Sequence, residues 1–223
     1  MAKGLSAFRS VEDLDNVFVA EKGGLRCSAI RLKTGNICLF SPVQGLGDTA
    51  RESLAALGPV TQVLAPNHYH NKGLIEYSEA FPEATLCAPE RATPRLEKQT
   101  GLSFEPLDNV KTELPDTVQI IEPRGLKTGE IWLRAQSEDQ LAWLVVDAFC
   151  GSKGSMTGVS DTPGMLGTFP SFGIADKPVY KSWVEKQIEA DQPTSIIPCH
   201  GQMVGADNLA GKLLALVGDK LKS

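Results

Sequence analysis

The stretch that decides the fold of this chain is VLAPNHYHNKG, residues 63–73. It follows the apolar, β-prone run TQVLA (residues 61–65) and carries two histidines, His68 and His70, two residues apart. Metal-binding side chains commonly lie where buried strands end, because the scaffold is rigid there and the loop is open. Residues i and i+2 of an extended segment point to the same side. The spacing therefore predicts that His68 and His70 present both imidazoles to one point.

The third histidine and one aspartate occur in the same kind of position. His200 lies in SIIPCHG (residues 195–201), and Asp147 lies near the end of the apolar run LAWLVVDAF (residues 141–149). Neutral imidazole and carboxylate together suit zinc, iron or manganese. A carboxylate at the end of an apolar strand must be paired, hydrogen-bonded or bound to a metal. The residues His68, His70, Asp147 and His200 therefore predict a single metal pocket.

Composition describes an ordinary globular protein and limits its partners. The 223 residues are 42% hydrophobic and 22% charged, enough to bury a substantial core. The net charge is 22 − 27 = −5, with both signs interspersed, so we expect a small-molecule substrate and neither nucleic acid nor a membrane surface. The first residues lack a signal-peptide pattern, and the five cysteines lack CxxC spacing, so we expect a reduced, cytoplasmic protein. No pattern indicates an oligomeric state.

Apolar patterning predicts strands at both ends of the chain and alternating strands and helices in the middle. We predict strands at residues 15–21, 61–65, 84–88, 118–123, 130–136, 141–149 and 194–198, and a hairpin at 27–42 whose turn contains Gly35. We predict helices at 49–57, 74–80, 89–99, 176–190 and 207–217. This order predicts one α/β domain over residues 1–223, with two sheets packed face to face and helices outside. Residues 150–173 form a long glycine-rich loop, either a rim or lid over the pocket or a passive surface loop.

The histidine segments resemble those of the metallo-β-lactamase-fold superfamily of metallohydrolases. Members carry an HxHxDH motif, a histidine in a TPGHT-like turn, a strand-end aspartate and a PGHG-like histidine. The first two histidines correspond to His68 and His70, the aspartate to Asp147 and the last histidine to His200. The resemblance covers most of the chain in element order. It implies a four-layer αββα sandwich.

The chain departs from the family motif at three positions. Lys72 and Gly73 stand where HxHxDH has its aspartate and last histidine, and Leu126 stands where the TPGHT-like histidine belongs. The resemblance therefore does not carry over a two-metal site. Lys72 is either a cation that neutralises Asp147 in place of the second metal or an exposed loop lysine.

Counting the remaining ligands predicts at most one metal ion, zinc or iron by preference. His68, His70 and Asp147 would hold it, with His200 close enough to position water or substrate, and two-histidine-one-carboxylate sets leave coordination places open. The candidate catalytic residues are Asp147, His200 and Lys72. Cys150 and Cys199 are either additional thiolate ligands or small buried hydrophobic residues.

Three functions remain open from the sequence. The first is a hydrolase that acts on an ester, thioester or lactone through metal-activated water. The second is a mononuclear iron protein that acts on a thiol substrate, and the third is a catalytically silent relative that binds a ligand or partner. Because the sequence has no GxxxxGK and no GxGxxG motif, nucleotide chemistry is not indicated.

Overall fold

The computed structural model describes residues 4–222, and within them twelve strands form two six-stranded sheets. The first sheet consists of β1 (Arg9–Val11), β2 (Leu14–Lys22), β3 (Leu25–Arg31), β4 (Ile37–Phe40), β5 (Val60–Leu64) and β6 (Thr85–Cys87). The second consists of β7 (Val118–Ile121), β8 (Trp132–Gln136), β9 (Leu141–Val145), β10 (Val159–Ser160), β11 (Ser195–Pro198) and β12 (Met203–Gly205). The helices are α1 (Asp48–Leu57), α2 (Leu74–Ala80), α3 (Thr93–Thr100), α4 (Asp108–Lys111), α5 (Phe169–Phe172), α6 (Lys177–Asp191) and α7 (Leu209–Lys220). None of these described helices has the length and apolar content needed to span a bilayer.

The first sheet joins an antiparallel meander to parallel strands. Its order is β1-β2-β3-β4-β5-β6, antiparallel from β1 to β4 and parallel from β4 to β6. The β3–β4 turn places Gly35 at a φ of 84°, the left-handed conformation expected there. Because β4 and β5 run parallel, the chain leaves both strands at the same edge of the sheet, and the loop containing His68 and His70 starts there.

The second sheet brings two distant segments to one edge in the same way. Its order is β10-β12-β11-β9-β8-β7, and β9 and β11 are parallel neighbours with Val145 opposite Pro198. Asp147 follows β9 by two residues, and His200 follows β11 by two residues. Parallel pairing in this register therefore places Asp147 and His200 side by side.

Alternating side chains of the second sheet build two cores. Leu133 and Leu144 belong to the cluster that includes the first sheet and helices α1 to α3. Their neighbours Trp132 and Trp143 point to the opposite face and pack in a second cluster with α6 and α7. This alternation is what a strand with a period of two produces when both faces of its sheet are covered. The layers are helix, sheet, sheet and helix, which confirms the predicted αββα sandwich.

The elements that the sequence analysis missed are all short. They are β1, α4, β10, α5 and β12, each of two to four residues. Segments of this length are too short for a periodic pattern to appear. Two of them, β10 and α5, lie within the glycine-rich segment 150–173, where Phe169 is fully buried. The predicted strand at 141–149 was too long, because β9 ends at Val145.

Candidate metal centre

Two imidazoles converge on one carboxylate oxygen at the edge of the sandwich. The Nε2 atom of His70 lies 3.2 Å from Oδ1 of Asp147, and Nε2 of His200 lies 3.1 Å from the same oxygen. The two imidazole rings meet edge to face with centroids 5.4 Å apart. The Asp147 side chain is only 5% exposed, whereas that of His200 is 27% exposed. The structure therefore joins three of the four predicted metal residues in one group that opens toward His200.

His68 is not part of this group. Its Nε2 lies 3.1 Å from Nη1 of Arg95, and its ring packs on the edge of Tyr69. The reason is the backbone of the segment, because Oδ1 of Asn67 accepts the N–H groups of Tyr69 (2.8 Å) and His70 (3.0 Å). An asparagine that bonds its own following backbone forms a turn, and the i, i+2 alternation of an extended strand no longer applies. The expectation that both imidazoles face one point was wrong.

A thiol occupies the other side of the His70 ring. Sγ of Cys199 lies 3.8 Å from Nδ1 of His70, and the Ser41 hydroxyl lies 3.1 Å from that nitrogen and 3.5 Å from Sγ. One donor atom from each of His70, Cys199 and His200 falls within 4.8 Å of the other two. Imidazole nitrogen and thiolate sulfur are ligands that zinc and iron accept. Cys199 is thus both a buried residue, 3% exposed, and a candidate ligand.

The charges of the group depend on each other. Burial opposes charge on Asp147, but the hydrogen bonds from His200 and His70 hold the pKa of its carboxyl well below its usual range. Burial also opposes charge on His70, yet the neighbouring Cys199 and Asp147 raise the pKa of its imidazole to about 10. Despite burial, the imidazoles of His70 and His200 lower the pKa of the Cys199 thiol to about 7. Without a metal, the imidazoles of His70 and His200 and the acidic groups of Asp147 and Cys199 therefore favour one another's charged forms.

A second carboxylate, that of Glu130, lies on the buried side of Asp147 and accepts its backbone N–H; the sequence analysis did not identify it. Glu130 is 2% exposed and accepts four N–H groups. Trp132 Nε1 (2.8 Å) and the Ala148 backbone (3.2 Å) donate to Oε1, while the Asp147 backbone (3.2 Å) and Asn67 Nδ2 (3.3 Å) donate to Oε2. Asn67 Nδ2 also donates to Oδ2 of Asp147 at 2.8 Å. Burial and the charge of Asp147 raise the pKa of Glu130 to about 7. The only sign of this role in the sequence was the position of Glu130 at the start of the β-prone run EIWLRAQ.

A buried arginine supports the loop that carries His200. The guanidinium of Arg26 donates to the carbonyls of Pro198 (2.6 Å), Gly201 (3.1 Å) and Met156 (3.0 Å). Its backbone N–H donates to the Cys199 carbonyl at 2.8 Å. Arg26 therefore ties β3 to both sides of His200 and to the glycine-rich segment. In the sequence Arg26 is one of two arginines in a β-prone run, Arg26 and Arg31, and nothing there distinguishes it for this role.

His70 and His200 line an open cavity of about 430 Å³, and the buried carboxylate of Asp147 contacts both of them. The apolar part of its wall comes from Leu25, Pro42, Val43 and Tyr69. The ring of Tyr69 also meets Phe172 edge to face at 5.2 Å. Segment 150–173, which contains Phe172, thus contacts one residue of the cavity wall.

The likeness of this chain to known proteins lies in its structure and not in its sequence. No protein-family model and no curated protein matches the sequence. Solved structures do match, among them a metallo-β-lactamase from Pontibacter korlensis, at a TM-score of 0.62 and 12% identity over 97% of this chain and 100% of that one.

Two further structures agree. The metallo-β-lactamase FIM-1 from Pseudomonas aeruginosa, solved in a mono-zinc form, matches at a TM-score of 0.64 and 15% identity over 99% of this chain and 97% of its own. A metallo-β-lactamase from Hirschia baltica matches at 0.63 and 13%, over 96% and 98%. The chain has the metallo-β-lactamase fold. At these identities the likeness establishes the fold and not the activity.

Within this metallo-β-lactamase fold, Lys72 does not neutralise Asp147. The carboxylate of Asp147 instead accepts from His70, His200 and Asn67. Lys72 is exposed at the cavity, and in the part of the chain that the structure describes it forms no ion pair. Of the two alternatives for Lys72, the structure shows the exposed loop lysine.

The other two departures from the family motif are structural. A Cβ atom on Gly73 would lie 2.5 Å from the Pro42 carbonyl oxygen, so no histidine fits there without moving the backbone. Leu126 is buried in the second apolar cluster, and its carbonyl accepts from Nη1 of Arg91 at 2.6 Å. Neither position offers a metal ligand.

Proposed function

We propose that this protein is a hydrolase that uses one transition-metal ion, zinc or iron, to cleave an ester, thioester or lactone bond. His70 and His200, each through Nε2, and Asp147 would hold the ion. Cys199 would contact Nδ1 of His70 from the other side of the ring. The observation that carries the proposal is the convergence of two imidazole nitrogens on one carboxylate oxygen at 3.1 and 3.2 Å beside an open cavity.

The spacing of the donor atoms fits a metal ion. With metal–ligand bonds of about 2.0–2.1 Å, neighbouring ligands of a tetrahedral site are about 3.3 Å apart. The His70–Asp147 and His200–Asp147 separations of 3.2 and 3.1 Å are close to that value. Two imidazoles and one carboxylate suit zinc and iron(II), and three protein ligands leave a place open, as in catalytic sites.

The residues in and around the His70–Asp147–His200 group would have different roles in the reaction. When bound, the metal ion supplies Lewis acidity and lowers the pKa of a water molecule. Asn67 engages Oδ2 of Asp147 and leaves Oδ1 to the histidines. His200, the most exposed member of the three, borders the cavity and is placed to meet the substrate and its attacking water. Glu130 keeps the Asp147 backbone in place from the buried side.

Metal content tests the proposal directly. The protein is purified without chelator and dialysed separately against zinc, iron(II) and manganese, and the bound metal is measured by elemental analysis. We expect about one ion per chain in the unaltered protein and none in His70→Ala or His200→Ala. His68→Ala is the matched control and retains the metal, because His68 contacts Arg95 instead.

Turnover then tests the hydrolase. The metal-loaded protein is assayed with simple esters, thioesters and lactones, and the same variants should lose activity in parallel with the metal. Protein that stays metal-free after all three dialyses would overturn the metal site. Metal-loaded protein that cleaves none of the three bond types would instead support a binding protein with an inherited pocket.

A further inference from the structure

Two lysines border the cavity beside the histidines, and no acidic residue is among the residues that line it. Lys22 comes from the end of β2, and Lys72 from the loop that carries His70. The protein as a whole carries a net charge of −5, which repels anions. The side chains that line the cavity therefore include two cations and no carboxylate, while the nearest carboxylates, Asp147 and Glu76, already accept hydrogen bonds from the protein.

The Lys22 ammonium is held in place but has unused donors. Its Nζ donates to the Gln44 carbonyl at 2.9 Å, and its side chain lies against Gly45, where a Cβ would overlap it. Lys22 is half-buried and forms no ion pair within the described residues. An ammonium has three N–H groups, so two of those on Lys22 remain for another partner. These two N–H groups can donate charge-assisted hydrogen bonds to an anion that enters the cavity.

The Lys72 ammonium lies on the same cavity and is also without a carboxylate partner in the described chain. Its neighbour Gly73 packs against the Pro42 carbonyl, which fixes the backbone of the loop next to the cavity wall. Between the lysines and the histidines the wall is apolar, with Leu25, Pro42 and Val43. The cavity thus offers positive charge, a short apolar stretch and the His70–Asp147–His200 group together.

We propose that Lys22 and Lys72 bind an anionic group of the substrate, a carboxylate or a phosphate, joined by a short aliphatic segment to the bond that is cleaved. The proposal rests on the hydrolase function and makes its substrate class specific. The apolar wall accommodates the aliphatic segment, and charge-assisted hydrogen bonds to the lysines set the position of the reacting bond.

A pair of matched esters tests this. Monomethyl succinate and dimethyl succinate contain the same ester bond, but only the first carries a carboxylate. With metal-loaded protein we expect kcat/KM to favour the monomethyl ester, and Lys22→Met or Lys72→Met to lower the ratio of the two values about tenfold. Lys186→Met, an exposed lysine of α6, is the control and leaves the ratio unchanged. A ratio that neither cavity variant changes would overturn the anion site while leaving the hydrolase intact.

Direct binding keeps the anion site testable if neither ester is cleaved, a result that counts against the hydrolase alone. Succinate and inorganic phosphate are titrated into metal-free protein and followed by calorimetry or NMR. Tighter binding of succinate identifies a carboxylate site, and tighter binding of phosphate a phosphate site. In either case Lys22→Met and Lys72→Met should weaken binding about tenfold, and sodium chloride should weaken it further. Equal affinity in the unaltered protein and both variants would overturn the proposal.

Discussion

The two histidines of the segment NHYH have opposite surroundings although only one residue separates them. His70 lies between Asp147 and Cys199 and belongs to a group of convergent donors. His68 contacts the guanidinium of Arg95, a cation that repels a metal ion and a charged imidazole alike. Burial and Arg95 lower the pKa of His68, whereas the surroundings of His70 raise the pKa of that ring to about 10.

The same contrast extends through the edge of the sandwich. On the His70 side, the carboxylate of Asp147 and the thiol of Cys199 contact the imidazole. The buried side chains of Glu130 and Arg26 hold the backbone at Asp147 and Pro198. On the His68 side lies a second arginine, Arg91, which precedes Arg95 by four residues and donates to the carbonyl of Leu126. The His70 side thus offers candidate metal ligands, whereas the His68 side has two guanidinium groups and the apolar side chain of Leu126. The sequence motif does not distinguish His68 from His70, because both histidines fit it equally well.

The largest effect is expected from removing the negative charge of Asp147, which distinguishes the surroundings of His70 from those of His68. Asp147→Asn removes the anion that both imidazoles contact, so we expect metal affinity to fall by more than about a hundredfold, beyond the loss typical of supporting residues. Chelator competition measures the affinity. Asp139→Asn, an exposed turn residue, is the matched control. Near-normal affinity in Asp147→Asn would mean that the ion binds through other residues.

Proton competition should reveal the same charge pattern. Metal needs the neutral imidazole, and the His70 pKa is raised from 6.5 to about 10, so metal affinity should increase with pH by up to about tenfold per unit below pH 10. The sign for the metal-free protein is opposite. The stabilisation from charged His70 is complete below pH 6.5 and is lost as pH rises toward 10. Affinity measured at pH 6 to 9 that stays flat would contradict the assignment of His70 as a ligand.

A change at Glu130, which holds the backbone of Asp147, separates the effect of positioning a metal ligand from the effect of removing one. Glu130→Gln turns an amide NH2 toward N–H groups that now donate to a carboxylate oxygen, so we expect a loss of about 2–3 kcal/mol in the free energy of unfolding. Metal affinity should also fall, by about ten- to a hundredfold. Urea denaturation and chelator competition measure the two effects, with exposed Glu138→Gln as the control. A stability equal to that of the control would show that the four N–H contacts are not needed.

The smallest effect is expected on the His68 side. Arg95→Met removes the hydrogen bond to His68 and the guanidinium over the Tyr69 ring, 4.6 Å from its centroid. Because Arg95 is exposed, the free energy of unfolding should change by less than about 1 kcal/mol. NMR titration should show the His68 pKa rising, since Arg95 now lowers it, while the metal content stays the same. An additional bound ion would mean that Arg95 alone keeps metal from His68.

The sequence by itself determined two packed sheets with helices outside, and most of the strands in their order along the chain. Alternation in residues 130–136, the helical spacing of 176–190 and the apolar run at 61–65 are local patterns that reflect burial on one or two faces. They predicted α2 with its bounds and most other elements within a few residues. They also placed Asp147 and His200 near strand ends, and the structure brings the two together by pairing β9 and β11 in parallel.

What only the tertiary structure decided is which side chains act together. The turn made by Asn67 rotates His68 toward Arg95, and the four donors of Glu130 come from segments that a local pattern cannot connect. The buried contacts of Arg26 join β3 to residues 156, 198 and 201. Hydrogen bonds of this kind depend on distance and direction in space, whereas the hydrophobic periodicity that predicts a fold depends on position along the chain.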